Sequence, residues 1–110
     1  METKEFERAT IFSLSDTIKY SEGAVVSKTV TKRLEGTVTL FAFDKDQGLS
    51  EHTAPFDAQI HVIDGMATIY IDRKPYVLKK DDIIVMPANI SHAVEATERF
   101  KMILTMIKSK

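Results

Sequence analysis

The residues best suited to chemistry in this chain are its three histidines, because the sequence contains no cysteine. His52 and His61 lie in the segment from Gly48 to Gly65, and His92 follows Pro87 in a second loop. A neutral imidazole binds divalent transition metals and takes up a proton near neutral pH. We therefore predict that these two segments carry the metal or proton chemistry of the chain, provided that folding brings them together.

The elements that must position the histidines are predicted to be short β-strands. Runs rich in β-branched residues are separated by turn signals about every ten residues, which indicates an antiparallel sandwich or barrel of about eight or nine strands. No run gives a convincing helix pattern. Residues 100–107 have methionine and isoleucine at helical spacing, but they lack an N-cap, so we predict a strand there.

The turns between these strands are predicted from their composition. Residues 34–36 (Leu-Glu-Gly) and residues 73–75 (Arg-Lys-Pro) should each reverse the chain. Asp64 and Gly65 lie between two β-rich runs, and this dipeptide is typical of a tight two-residue hairpin.

Two segments are interpreted from the position of their apolar residues. Residues 37–43 have apolar side chains on both faces of a strand, so this strand should be covered on both sides. In the weakly patterned residues 1–23, we expect Phe12, Leu14 and Ile18 to line a short strand or turn.

The order of strands, histidines and turns over residues 37–107 resembles the small single-domain cupins. His52 and Gly65 match a histidine and the closing glycine of the first cupin motif, and Pro87 and His92 match the proline and histidine of the second. The resemblance implies an all-β fold, the antiparallel double-stranded β-helix or jelly-roll barrel. We expect a single domain over all 110 residues.

The chain departs from the cupin motifs at several metal-ligand positions. Ala54 stands in place of the second histidine, and either Ala58 or Gln59 occupies the glutamate position, depending on the direction of counting. Asp46 and Asp81 stand at the opening glycine positions of the two motifs, and Asn89 stands at a third glycine position. Ala96 takes the place of the final asparagine. In cupins these ligands usually hold a divalent metal, so the resemblance implies that His52 and His92 are ligands.

Two alternatives for the rest of the site depend on which face of a strand points inward. Gln59 and His61 share one face, and with His52 and His92 they would form a set suited to Zn, Ni, Fe or Mn. Alternation without a bulge, counted from His52, instead turns Ala58 inward and gives an apolar cavity without a complete metal site. The pocket-lining residues expected are Ala54, Ala58, Phe41, Phe43, Met86 and Met102.

By resemblance, the chain should bind a small molecule of the sugar or carboxylic acid type. Two functions remain open: a metal-dependent isomerase, ring-opening enzyme or dioxygenase, and a ligand-binding barrel that has no catalysis and no metal. Small cupins commonly pair through their sheets, and a homodimer is expected because two of the predicted strands are apolar on both faces.

Composition excludes several other classes of protein. The chain is 44% hydrophobic and 28% charged, which is ordinary for a globular domain. A net charge of −1, with basic residues clustered only in pairs, argues against nucleic-acid binding. The charged first residues do not resemble a signal peptide, and no apolar run is long enough to span a membrane, so a cytoplasmic protein is expected.

Overall fold

A computed structural model describes residues 5–108, in which one short helix is followed by eight strands. The predicted antiparallel all-β barrel is confirmed, and residues 100–107 form a strand as predicted. The elements are α1 (Leu14–Thr17), β1 (Val25–Arg33), β2 (Gly36–Phe43), β3 (Gly48–His52), β4 (Phe56–Ile71), β5 (Lys74–Lys79), β6 (Ile83–Met86), β7 (His92–Glu95) and β8 (Phe100–Lys108).

Strand β4 belongs to both sheets of the barrel and connects them. Its first half pairs with β8 and β6, and its second half pairs with β5 and β7. The first sheet therefore has the order β1-β2-β8-β4-β6, and the second sheet has the order β5-β4-β7-β3, with every pairing antiparallel. A strand as long as β4 can serve both sheets because it bends sharply where it leaves one for the other.

The bend in β4 lies at Asp64-Gly65, where the sequence predicts a hairpin, and this prediction is wrong. The chain continues in one direction, and the register with β8 shifts between Val62 and Asp64, as at a β-bulge. Gly65 has φ of 74°, and a Cβ atom there would collide with the backbone oxygen of Arg99. Asp-Gly suits this site because bulges and hairpin turns both need a residue with positive φ.

The hairpin between β4 and β5 instead turns at Asp72-Arg73. Both residues have positive φ, 50° and 66°, and Ile71 pairs with Lys74 across the turn. The predicted turn at residues 73–75 is therefore displaced toward the N-terminus. The predicted turn at residues 34–36 is confirmed, with Arg33 paired to Gly36.

Apolar side chains form a large cluster inside the barrel and a smaller cluster outside it. The inner cluster includes Phe43 and Phe100, whose rings stack at 4.5 Å. Outside, Ile18 packs on Leu40 and Ala42 of β2, so that β2 is covered on both sides as predicted. The segment that carries Ile18 contains a one-turn helix instead of the short strand or turn expected there.

Within residues 5–108, no helix is long and apolar enough to cross a membrane.

Candidate functional site: a histidine pair at the end of the barrel

The pairing of β3 with β7 brings His52 and His92 together. The two residues lie directly opposite each other in the ladder, although forty positions separate them in the sequence. Their Nε2 atoms are 3.0 Å apart, and their rings meet edge to face with centroids 4.3 Å apart. We refer to these two side chains as the histidine pair.

The histidine pair lies between the apolar core and solvent. His92 shares the face of β7 that carries Val94, which belongs to the inner cluster, as does Ala96 just after the strand. Only 7% of His92 is exposed, whereas His52 is an exposed residue at the end of β3. A ligand can therefore approach His52 from solvent while His92 borders the core.

Backbone carbonyl groups hold both imidazole rings. The Nδ1 atom of His52 lies 2.7 Å from the oxygen of Ser50, so this nitrogen carries the hydrogen and donates it. In one tautomer of His92, its Nε2–H donates to the Nε2 atom of His52. The Nδ1 atom of His92 lies 3.3 Å from the oxygen of Ile90, close enough to donate in the other tautomer of His92.

The surroundings of the histidine pair favour a neutral His92. Burial lowers the pKa of His92, the nearby His52 lowers it further, and the carbonyl of Ile90 opposes both effects. A neutral imidazole has a free lone pair and can act as a metal ligand or accept a hydrogen bond, which an imidazolium cannot.

Gln59 and His61 lie on the opposite face of β4 from the core. Ala58, Ile60 and Val62 point inward and are at most 2% exposed, while Gln59 is exposed and His61 is partly exposed. Strict alternation along the strand produces this arrangement, since the bulge comes only after Val62. The structure therefore does not bring Gln59 and His61 to the histidine pair.

The residues predicted to line a pocket lie mostly in the inner cluster. Phe43, Ala58, Met86 and Met102 are buried there, and Phe41 packs against the cluster from a partly buried position. Ala54 lies outside it in the loop before β4, where its carbonyl oxygen accepts a hydrogen bond from the backbone N–H of Asn89. Five of the six residues therefore belong to the inner cluster or pack against it.

At this site, the side chains suited to bind a divalent metal are the two imidazoles of the histidine pair. If His92 donates from Nδ1 to Ile90, both Nε2 lone pairs face the same gap, and each ring is held by a carbonyl group as metal-binding histidines usually are. Within residues 5–108, no group of three or more His, Cys, Asp or Glu side chains is placed to hold a metal. Any further ligands would have to come from water or from a bound molecule.

Sequence reasoning missed the two carbonyl groups that orient the rings. Each belongs to the residue two positions before its histidine, Ser50 before His52 and Ile90 before His92. Nothing in the sequence marks Ser50 or Ile90 for this role, since only the backbone conformation brings each carbonyl to its histidine.

Comparison with known proteins identifies the class of this protein. The family described as Cupin domain matches residues 35–108, and the chain belongs to this family. A conserved protein of unknown function from Streptococcus pyogenes has a similar structure, with 32% identity and a TM-score of 0.91 over 100% of this chain and 97% of the other.

Two further structures extend the comparison. A cupin 2 conserved barrel domain protein from Leptotrichia buccalis is 43% identical with a TM-score of 0.86, over 88% of this chain and 47% of the other, so this chain spans about half of its length. A cupin superfamily protein from Desulfitobacterium hafniense is 24% identical with a TM-score of 0.88, over 99% of this chain and 100% of the other. No curated protein matches the sequence.

Proposed function

We propose that this cupin binds a small sugar or carboxylic acid at the histidine pair, together with a divalent metal held by His52 and His92. The supporting observation is the 3.0 Å separation of the two Nε2 atoms, because it brings two imidazole lone pairs to one point. A cation bound between them relieves the repulsion that two unprotonated nitrogens would otherwise feel at this distance.

In this proposal the protein residues hold and orient the site. The carbonyls of Ser50 and Ile90 fix the two rings, and the buried position of His92 keeps that ring neutral and ready to bind. A divalent metal at such a site would polarise an oxygen of the bound molecule. The ligand would supply oxygen atoms at positions where other cupins have protein side chains.

A second candidate is a ligand-binding barrel without metal or catalysis. It is supported by Ala54, which stands at a position where cupins usually have a ligand, and by the apolar inner face of β4, which includes Ala58. In this case the neutral histidine pair would bind a hydroxyl or carboxyl group by hydrogen bonds alone.

Metal content separates the two candidates. Protein purified without a metal-affinity tag should contain a divalent metal, or should gain about 2.7 kcal/mol of stability when Zn, Ni, Mn or Fe(II) is added at a hundred times its dissociation constant. His52→Gln and His92→Gln should each weaken metal binding about tenfold or more, whereas His61→Gln on the outer face should not.

Metal below about a tenth of an equivalent, with no stabilisation by any of the four ions, would rule out the metal-bound form and leave the second candidate. Equal metal binding by the His92→Gln variant and the unmodified protein would place the metal elsewhere.

We also propose that two copies of the chain pair through β6. Ile83 and Val85 on this strand are 56% and 57% exposed, and within residues 5–108 β6 pairs only with β4. An open edge of β-branched residues is usually covered, and a twofold axis lets β6 pair with its own copy in antiparallel orientation.

Sedimentation velocity at micromolar concentration tests the proposed pairing. The unmodified chain should sediment as a dimer, and Val85→Lys should convert it to a monomer, because a charge at the edge opposes strand pairing. Val77→Lys is the matched control, since Val77 is 64% exposed on β5 of the second sheet. A monomeric unmodified chain would contradict the pairing.

A further inference from the structure

A cleft of about 560 Å³ lies outside the barrel, between the N-terminal segment and the first sheet. Its walls include Leu14 of α1, Lys101 of β8, and His61 and Ile63 of β4. The two β4 residues point away from the core, so the cleft is separate from the histidine pair. We refer to it as the outer cleft.

The most unusual group in the outer cleft is the ammonium of Lys101. Only 7% of Lys101 is exposed, and its Nζ atom donates to the carbonyl oxygen of Ser15 at 3.2 Å. The ring of Tyr20 lies 5.0 Å from the same nitrogen. Among residues 5–108, no ion pair involves Lys101. An ammonium has three N–H donors, so the carbonyl of Ser15 uses only one of them.

The carboxylate nearest in the ladder is already bound by another side chain. Asp64 lies opposite Lys101 in the pairing of β4 with β8, but its Oδ2 atom accepts a hydrogen bond from the hydroxyl of Tyr20. Burying a cation with incomplete hydrogen bonding is costly. An anionic group that entered the outer cleft would complete the hydrogen bonds of Lys101.

The other walls of the outer cleft restrict which anion fits. Leu14 and Ile63 offer apolar surface to the body of a ligand. Asp64, Asp81 and Lys80 also line the cleft. These three side chains carry two negative charges and one positive charge, and this net negative charge opposes an anion with two charges more strongly than an anion with one. We propose that the outer cleft binds a small monocarboxylate with an apolar body, whose carboxylate accepts hydrogen bonds from Lys101.

The experiment is a titration of ¹⁵N-labelled protein with 4-methylpentanoate, followed by NMR. The chemical-shift changes of backbone amides should saturate and should be largest at Lys101 and at Ser13–Ser15, which all line the cleft. Inorganic phosphate at pH 7.5 should bind several-fold more weakly, because Asp64, Asp81 and Lys80 together give the walls around Lys101 a net negative charge. Equal binding of phosphate would show an adventitious anion site and would overturn the proposal.

Substitutions at Lys101 test the contact directly. Lys101→Met should weaken binding about tenfold or more, because it removes the charged donor of the hydrogen bond. Lys101→Arg should keep most of the affinity, because arginine also donates a charged hydrogen bond. Lys74→Met on β5 is the matched control for loss of a surface lysine, and it should have no effect. Unchanged affinity in Lys101→Met would overturn the proposal.

A second pair of variants leaves the hydrogen bond between Lys101 and Ser15 in place. Leu14 is 43% exposed, so a polar residue is tolerated there. Leu14→Asp adds a negative charge to the outer cleft, while Leu14→Asn has nearly the same shape without charge. Binding should be several-fold weaker in Leu14→Asp than in Leu14→Asn. Equal affinity in both variants would contradict an anionic ligand.

The outer cleft is independent of the function proposed for the histidine pair. A His52→Gln/His92→Gln double variant should therefore bind 4-methylpentanoate in the outer cleft as the unmodified protein does. If instead the shifts centre on His52 and His92 and disappear in the double variant, the carboxylate binds at the histidine pair and the outer-cleft proposal fails.

Discussion

The two faces of β4 carry different kinds of residue and border different sites. The inner face presents Ala58, Ile60 and Val62, which are almost fully buried in the inner cluster. The outer face presents Gln59 and His61, and His61 lines the outer cleft with charged neighbours. Within residues 5–108, the imidazoles that border the inner cluster are therefore those of the histidine pair, which come from the second sheet.

This difference shows that one residue of register decides what chemistry each face can support. The side chains of a strand alternate, so a shift by one position would exchange Ala58 for Gln59 and Ile60 for His61 on the inner face. The register is fixed along Ala58–Val62 by the burial of three apolar side chains.

The largest effect is expected at Gly65, where β4 passes from one sheet to the other. Gly65→Ala should destabilise the fold by about 3 kcal/mol or more, because the new Cβ meets the backbone oxygen of Arg99, which cannot move aside without breaking the ladder. Denaturation by urea, followed by circular dichroism, measures the loss.

Gly23 provides the control for the cost of positive φ alone. It has φ of 67°, but no atom lies within 4 Å of the position of an added Cβ, so Gly23→Ala should cost only about 1 kcal/mol. Equal losses at Gly23 and Gly65 would show that contact with Arg99 does not define the bend.

An intermediate effect is expected when neighbouring residues on the two faces of β4 are truncated. Ile60→Ala should cost about 2–5 kcal/mol, since it leaves a cavity in the inner cluster. Gln59→Ala should change the unfolding free energy by no more than about 0.5 kcal/mol. Urea denaturation of both variants measures the difference between the faces, and similar losses would argue against the register described here.

The smallest effect is expected from the titration of His92. Its pKa is lowered in the folded protein, so between that pKa and the unfolded value of about 6.5 the unfolded chain binds more protons. The unfolding free energy should therefore decrease as the pH falls through about 6.5, by less than about 1.4 kcal/mol per pH unit.

Variants at two histidines separate this titration from other groups. His92→Gln should have a flatter dependence of stability on pH between about 7.5 and 5.5 than the unmodified protein. His61→Gln, which changes a residue on the outer face, should keep the contribution of His92. An unchanged slope in His92→Gln would contradict the assigned effect of burial, and thermal denaturation over this pH range makes the comparison.

Much of the fold could be predicted from the sequence because it depends on local preferences. Runs of β-branched residues mark β1, β2 and β8, and the turn at residues 34–36 is where its composition places it. The bend at Asp64-Gly65 could not be told from a hairpin, since the dipeptide supplies positive φ in either structure. The turn at Asp72-Arg73 was predicted one residue too late, at residues 73–75, because it contains no glycine or asparagine to mark its centre.

The candidate site could be predicted only in part because it depends on pairings distant in sequence. His52 and His92 were singled out by their positions in two motifs, but their contact requires β3 to lie beside β7. The inward face of Ala58 was one of two alternatives, and the core packing of the folded barrel selects it. The outer cleft gave no sequence signal, since Lys101 is one of many lysines until the N-terminal segment covers it.

The position of β8 has a consequence for synthesis of the chain. In the first sheet β8 lies between β2 and β4, yet it is the last of the eight strands in the sequence. During translation, the edges of β2 and β4 that face β8 remain unpaired until Phe100–Lys108 has left the ribosome. Unpaired strand edges promote aggregation. Nascent chains stalled before Phe100 should therefore depend on chaperones far more than full-length chains released from the ribosome.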